Sequence, residues 1–267
     1  GPLRPEVGRI HDHCYRFCLE LDCFLYNGVQ DGKAALGAMT YYAPKSAWLI
    51  RRTTSYGFAA KGGSNDVSHN HNDIGSFIVV SGGRQLLCDL GPGEYVKDYF
   101  NDQKRYQYFC TSSRGHSVPV INGQLQGHGA KYRSVSAWKD GVFEIEMTQA
   151  YRRLGIESVR RSFCFEEEKI LLTDQLSGKV TSLKERFITQ VKPVVEGNAV
   201  RVGSLLMRPM GETSAPEIVQ EPFQNHFSQE ETVYCIDFDV SGKVFARELL
   251  MSESEGSNKK LHKKIDH

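Results

Sequence analysis

The chain has 267 residues, enough for one large domain or two small ones, and its 40% apolar and 24% charged content is that of a globular protein. A formal net charge of +1 gives no global attraction to nucleic acid or to an anionic membrane. No apolar run approaches the roughly 20 residues of a membrane-spanning helix, so neither partner is expected.

The opening Gly1-Pro2-Leu3-Arg4-Pro5 lacks the charged start and apolar centre of a secretory signal. Gly1-Pro2 matches the remnant left by a tag-removing protease, and the natural chain is expected to begin earlier. Residues 5–28 have helical spacing, with Ile10, Cys14, Cys18, Leu21 and Leu25 at three- and four-residue steps. Asn27-Gly28 supplies the stop. Cys14 and Cys18, one turn apart, are either half of a zinc site or small apolar residues on a buried face, and the second reading is the simpler. Residues 1–34 are therefore read as a helical segment that needs a partner, such as a preceding helical domain. The cysteine count is seven, an odd number with no Cys-x-x-Cys pair. This argues against a disulfide framework and for a reducing, cytoplasmic compartment.

From residue 35 the signal becomes strand-like. Met39 to Ala43, Ala47 to Arg52, Tyr56 to Ala60, Ser76 to Val80 and Gln85 to Cys88 are short β-branched or aromatic runs. Ser81-Gly82-Gly83-Arg84 reads as a tight hairpin turn. Residues 91–116 form a long polar and aromatic connection, a length uncommon in loops without a function. Strands then follow at Val118 to Ile121, Tyr132 to Trp138, Val142 to Ala150, Ser158 to Phe165 and Lys169 to Gln175. Later candidates are Glu185 to Val191, Ala199 to Val202, Leu205 to Arg208, Thr232 to Val240 and Val244 to Met251. Many strands with short turns predict a mainly β protein, a large antiparallel β-sandwich over 35–251 with a short N-terminal helical segment. Residues 252–267 read as a polar, solvated tail.

Chemistry concentrates between Gly62 and Gln126. Ser68-His69-Asn70-His71-Asn72-Asp73 precedes an apolar strand, and in an extended chain His69, His71 and Asp73 would share one face. Cys88-Asp89-Leu90-Gly91 and Arg114-Gly115-His116-Ser117 place further polar residues at strand edges. Imidazole and carboxylate suit zinc, and His71, Asp89 and His116 offer two nitrogens and one oxygen. By spacing alone Asp73 is an equally good carboxylate, or a partner that fixes a histidine tautomer. His69 is a candidate general base or a hydrogen-bonded structural histidine. Tyr95, Lys97, Lys104, Arg105, Tyr106 and Arg114 in the long connection could stack on sugar rings and pair with acidic groups, or simply pack the loop. No phosphate-binding loop or Gly-x-Ser-x-Gly nucleophile motif occurs.

Together these residues resemble the heparinase II/III-like polysaccharide lyases. The resemblance rests on Lys61-Gly62-Gly63-Ser64-Asn65, His69-Asn70-His71-Asn72-Asp73-Ile74-Gly75-Ser76-Phe77, Asp89-Leu90-Gly91, Tyr95, Tyr99-Phe100 and Arg105. It continues through Ser113-Arg114-Gly115-His116-Ser117-Val118-Pro119 and Ile121-Asn122-Gly123-Gln124-Leu125-Gln126. It implies the C-terminal β-sandwich domain of a lyase whose N-terminal α/α toroid is not in these residues. It further implies His69 as base or carboxylate neutraliser, and one structural zinc on His71, Asp89 and His116, preferring Asp89 to Asp73. Asn70, Tyr95, Arg105 and Arg114 become the candidate contacts to an acidic polysaccharide or oligosaccharide, either a glycosaminoglycan or alginate. The acid tyrosine would come from the toroid, so the isolated chain is expected to cleave poorly. The alternatives are a non-catalytic carbohydrate-binding or domain-supporting module, and a metal-dependent hydrolase in which zinc activates water.

Overall fold

The computed structural model describes residues 37–101, 103–211 and 214–251. The helix expected over 5–28, with its Cys14 and Cys18 pair, and the tail from 252 lie outside the described residues. Strands β1 (Met39–Ala43), β2 (Trp48–Arg52), β3 (Gly57–Lys61), β4 (Phe77–Ser81) and β5 (Arg84–Leu87) form an antiparallel sheet in sequence order. An eight-stranded sheet runs β12 (Val194–Glu196), β13 (Ala199–Val202), β14 (Leu205–Pro209), β17 (Val244–Met251), β10 (Lys169–Gly178), β9 (Ile156–Phe165), β8 (Val142–Glu146) and β7 (Val135–Lys139). A four-stranded sheet runs β15 (Glu217–Gln224), β16 (Glu230–Val240), β11 (Leu183–Thr189) and β6 (Val120–Ile121).

Period-two alternation puts one side of each sheet into a common core. Phe163 of β9 meets Phe58 of β3 and Phe77 of β4 edge to face, with centroids 4.9 and 5.0 Å apart. Phe187 of β11 meets Phe77 at 6.1 Å and Phe245 of β17 at 6.0 Å. The eight-stranded sheet thus packs against both smaller sheets, which is a β-sandwich. The Cys88 N–H donates to the Ile188 carbonyl at 3.0 Å and joins the smaller sheets along one layer. A second cluster, including Cys88, Tyr99, Cys110, Ile188 and Phe223, is buried where the 88–116 connection meets the four-stranded sheet. Cys88, Cys110, Cys164 and Cys235 are free thiols. Among the described residues no helix is long and apolar enough to cross a membrane.

Most strands lie within a few residues of their sequence-based positions, and the hairpin turn has both Gly82 and Gly83 at positive φ. Three places differ. The strand expected to reach Ala150 ends at Glu146, where the chain enters a 3-10 helix, Thr148–Leu154. The Thr148 hydroxyl there accepts the Val159 N–H at 2.8 Å, taking up a bond a ladder partner would supply. Strand β15 is not signalled by the sequence because Pro222 interrupts it, and it lies at a sheet edge, where proline is tolerated. The short β12 pairs only with β13 and is exposed throughout, so no buried face marked it.

Three inward positions that meet one another carry charge instead of hydrocarbon. Arg161 of β9 sits directly across from Asp174 of β10, and Glu185 of β11 approaches from the other layer; all three side chains are fully buried. Arg161 Nε donates to Asp174 Oδ1 at 2.8 Å, and Nη2 reaches Asp174 Oδ2 at 2.6 Å and Glu185 Oε2 at 3.2 Å. Nη1 donates to the carbonyls of Gly75 at 2.9 Å and Ser117 at 2.6 Å. Burial, and then the neighbouring Asp174 carboxylate, push the Glu185 carboxyl well above its usual 4.5, favouring its neutral form. One cation then faces one full anion, as a buried site requires.

Arg161→Met should cost about 3–5 kcal/mol in urea unfolding, because it strands a buried carboxylate and two carbonyls. Glu185→Gln tests the neutral form. A carboxyl with a raised folded pKa contributes most below its unfolded value, and that contribution is lost as pH climbs above about 4.5. The parent should therefore lose stability relative to the Gln variant as pH is raised, and a parallel pair of pH–stability curves would contradict this.

Candidate active site

Between β3 and β4 the chain passes through a series of turns, and its base is pinched by two backbone bonds. The Gly75 N–H donates to the Lys61 carbonyl at 2.8 Å, and the Lys61 N–H donates to the Ser76 carbonyl at 3.1 Å. Gly75 has φ +88°, so the turn favours glycine, and a Cβ there would also press on Met147 Sδ at 2.6 Å. The turn is held from the far side by Gln126. Its Oε1 accepts the Ile74 N–H at 3.0 Å, and its Nε2 donates to the Ile74 carbonyl at 2.7 Å, as a paired strand would. Gln126 N–H in turn donates to Ser113 Oγ at 3.0 Å, linking this turn to the one that carries His116. A Cβ at Gly115 would lie 2.6 Å from the Phe109 carbonyl oxygen, so the backbone approach beside His116 also depends on glycine.

These turns bring His71, Asp89 and His116 together, with one ligating atom from each within 4.8 Å of the others. The His71 and His116 ring centroids are 5.3 Å apart. His116 is fully buried, and its Nε2 bonds the Cys110 carbonyl at 2.7 Å, which leaves Nδ1 as the nitrogen with a lone pair. Nδ1 faces Asp89 Oδ2 at 3.4 Å and has no hydrogen-bond partner. Asp89 Oδ1 is occupied by the Gly91 N–H at 2.8 Å, so Oδ2 is the oxygen turned to the cluster. Burial, and then His116, push His71 down to about 4, so it is a neutral donor at ordinary pH. Burial would raise the Asp89 carboxyl, but His116 and His71 outweigh it and hold Asp89 below the usual carboxylate range. Burial likewise opposes protonation of His116, and Asp89 beside it reverses the effect and raises its pKa. An orphaned buried nitrogen, a neutral imidazole, an ionised carboxylate and a carbonyl fixing the second imidazole form a donor set that fits a transition metal.

Asp73 is engaged elsewhere. Its two oxygens take Lys61 Nζ at 2.8 and 3.0 Å. The extended-chain expectation that His69, His71 and Asp73 share a face does not hold. His69 has φ +59° within a turn, so the two-residue alternation of a strand is broken there. His69 is exposed and packs edge to face on Phe100 at 5.1 Å, while Asp73 is buried and His71 turns to His116.

His69 borders an open cleft of about 340 Å³ together with Asp66, Asn70, Phe100, Arg105 and Tyr106. Asn70 is buried, with Oδ1 accepting the Tyr106 hydroxyl at 2.9 Å and Nδ2 donating to the His71 carbonyl at 2.9 Å. Arg105 is also buried. It donates to the Asn70 carbonyl at 3.0 Å and lies over the Tyr99, Phe100 and Tyr106 rings. These two residues therefore hold the His69 turn in place at the cleft wall. Tyr95 is exposed against Tyr99, Phe100 and His226; it packs on the Phe100 of the cleft and does not itself line it. Arg114 is exposed and donates to the Gln107 carbonyl at 2.5 Å, and it does not line the cleft. Sequence reasoning passed over the roles of Lys61, Gln126 and Arg161. Arg161 alone carried a readable signal, since it stands two residues from Phe163 on the apolar side of an alternating strand.

A family model described as Heparinase II/III-like, C-terminal, matches residues 37–255. The heparan sulfate lyase HepC from Pedobacter heparinus superposes with a TM-score of 0.69 at 17% identity, over 88% of this chain and 40% of its own. The heparinase III BT4657 gene product gives 0.67 at 14%, over 91% and 41%. A third structure, heparinase III, gives 0.61 at 15%, over 83% and 38%. At such identities the likeness is one of fold, and the chain spans about two fifths of the length of these structures. No curated protein sequence matches the chain.

Gln126→Leu should cost about 1–3 kcal/mol, because the Ile74 N–H and C=O lose their buried partners. Amide exchange at Ile74 should quicken well before global unfolding. Unchanged protection at Ile74 would show that another group holds the turn.

Proposed function

The chain belongs to the Heparinase II/III-like C-terminal family, and from that premise we propose that it is the β-sandwich part of a lyase cleaving uronic-acid polysaccharides or oligosaccharides. The observation that carries this reading is the exposed His69 at a cleft whose wall is bonded to a prearranged His71, Asp89 and His116 cluster. Such a lyase removes the C5 proton of a uronate and expels the oxygen linked at C4, leaving a double bond between C4 and C5. The C5 proton is weakly acidic while the carboxylate keeps its charge, so a nearby donor must stabilise the charge that develops. His69 serves as the base that takes this proton or as the group that neutralises the carboxylate. Arg105 and Asn70 fix the backbone on which His69 is displayed, through the bonds to the Asn70 and His71 carbonyls.

Zinc on His71, Asp89 and His116 would be structural, tying three separate segments beneath the His69 turn. The acid that protonates the leaving oxygen, a tyrosine, comes from an N-terminal domain outside this chain. Acidic glycosaminoglycans or alginate are the substrate classes that fit.

In the full-length protein His69→Ala should lower formation of ultraviolet-absorbing unsaturated product by about 10²–10⁴-fold. Saturated product would point to hydrolysis instead, and unchanged turnover would remove His69 from the chemistry. Metal analysis should find about one zinc per chain, lost in both His71→Ala and Asp89→Ala. A metal content unaffected by either substitution would dissolve the proposed ligand set. The isolated chain should bind zinc yet cleave poorly, and robust turnover by it would overturn the need for a second domain.

A further inference from the structure

Residues 66–70 form one continuous edge of the His69 cleft. Within that edge the chain makes a single backbone–backbone hydrogen bond, from the Asn70 N–H to the Val67 carbonyl at 3.1 Å. Asp66, Val67, Ser68 and His69 are all exposed, so burial does not pin the edge. Where His69 stands is decided largely at the two buried ends, Asn65 and Asn70. Both ends lead to the same distant segment, the one that carries His128.

Asn65 is 1% exposed. Its Nδ2 donates to the Gly127 carbonyl at 2.8 Å, and its own carbonyl accepts the Gly129 N–H at 2.8 Å. Asn65 thus grips the residues on either side of His128 and fixes the backbone from which that ring projects. At the other end, Asn70 Oδ1 accepts the Tyr106 hydroxyl at 2.9 Å. The Tyr106 ring in turn lies against the His128 ring, with centroids 4.5 Å apart and planes inclined by 16°. The contacts close a circuit from Asn65 through His128, Tyr106 and Asn70, completed by the edge that displays His69. Without the His128 ring, Tyr106 would be free to turn about its side-chain bonds and its hydroxyl to leave Asn70.

We propose that His128 is a positioning residue for His69, acting through Tyr106 and Asn70. The kinetic consequence rests on the lyase reading above, in which His69 must meet the C5 proton or the carboxylate of a bound uronate. A misplacement of about 1 Å in such a group can cost about 100-fold in rate. A loosened turn still visits the productive position, so it costs less. His128 needs no contact with substrate for this; it limits how far the edge can move.

Kinetics and amide exchange on the full-length protein test the proposal together. His128→Ala should lower kcat about threefold to tenfold, the worth of one aromatic pair, and leave KM within about twofold. Exchange of the Asn70 amide, read by mass spectrometry on a short peptide containing it, should quicken by a similar factor. His128→Phe keeps a flat ring and should restore both to within about twofold of the parent. Tyr106→Phe keeps the ring pair but removes the bond to Asn70 Oδ1, and should produce the same two changes. In the double variant His128→Ala with Tyr106→Phe the losses should not multiply, because both break one chain of contacts. A raised KM with unchanged kcat would make His128 a substrate contact and overturn the proposal. So would multiplied losses in the double variant, a kcat loss without faster exchange, or parental behaviour of His128→Ala. Faster exchange, rescued by His128→Phe, in a protein that forms no unsaturated product sinks the lyase reading and leaves the positioning of the turn standing.

Discussion

Arg161 constrains this structure more than any apolar contact does. A guanidinium enclosed by two sheets must find partners for all its N–H groups, or the cost of dehydrating it is several kcal/mol. Asp174 across the ladder and Glu185 from the opposite layer meet two sides of it, and the Gly75 and Ser117 carbonyls meet the third. Those carbonyls belong to the turns that follow Asp73 and His116. The sandwich core is thereby wired to the two segments that carry the polar cluster. Neither turn can shift without leaving a buried charge or a buried carbonyl unpaired.

The site is organised as a fixed part and a displayed part. His116 is fully buried and oriented by the Cys110 carbonyl, Asp89 is oriented by the Gly91 N–H, and His71 is half-buried beside them. His69, two residues from His71, is thrown outward by a left-handed turn and stands on an aromatic edge. The positive φ at His69 lets one short segment place one imidazole at the open cleft and the next in the polar cluster. Its cost, of order 1–3 kcal/mol for a residue in this region, is tolerated because Arg105, Tyr106 and Asn70 over-determine the turn.

Lys61 and Gln126 show how the surrounding shell sorts equivalent side chains. Asp73 and Asp89 are chemically alike and stand in similar sequence contexts. The Lys61 ammonium engages both oxygens of Asp73, whereas a single backbone N–H takes one oxygen of Asp89 and leaves the other facing two imidazoles. Gln126 supplies a turn with the pair of bonds a neighbouring strand would have given, which lets the backbone leave the sheet without an unsatisfied group.

The amino-acid sequence by itself determined the class of fold and most of its strands. Alternation in segments such as Val142 to Glu146 and Ile156 to Phe165 reflects local backbone geometry, which needs no knowledge of neighbours. It also marked the stretch from Gly62 to Gln126 as the chemical centre, because His, Asp and Asn crowd there between apolar strands. Strand β15 escaped notice because Pro222 masks a pattern that only an edge position explains. The choice between Asp73 and Asp89, the outward turn of His69 and the inward placement of Arg105 were decided by tertiary structure. Each depends on a partner distant in sequence or on a backbone dihedral, and neither leaves a trace in residue spacing. Hydrogen-bond satisfaction in a buried place is a property of the assembled fold, and that is what assigned these side chains their positions.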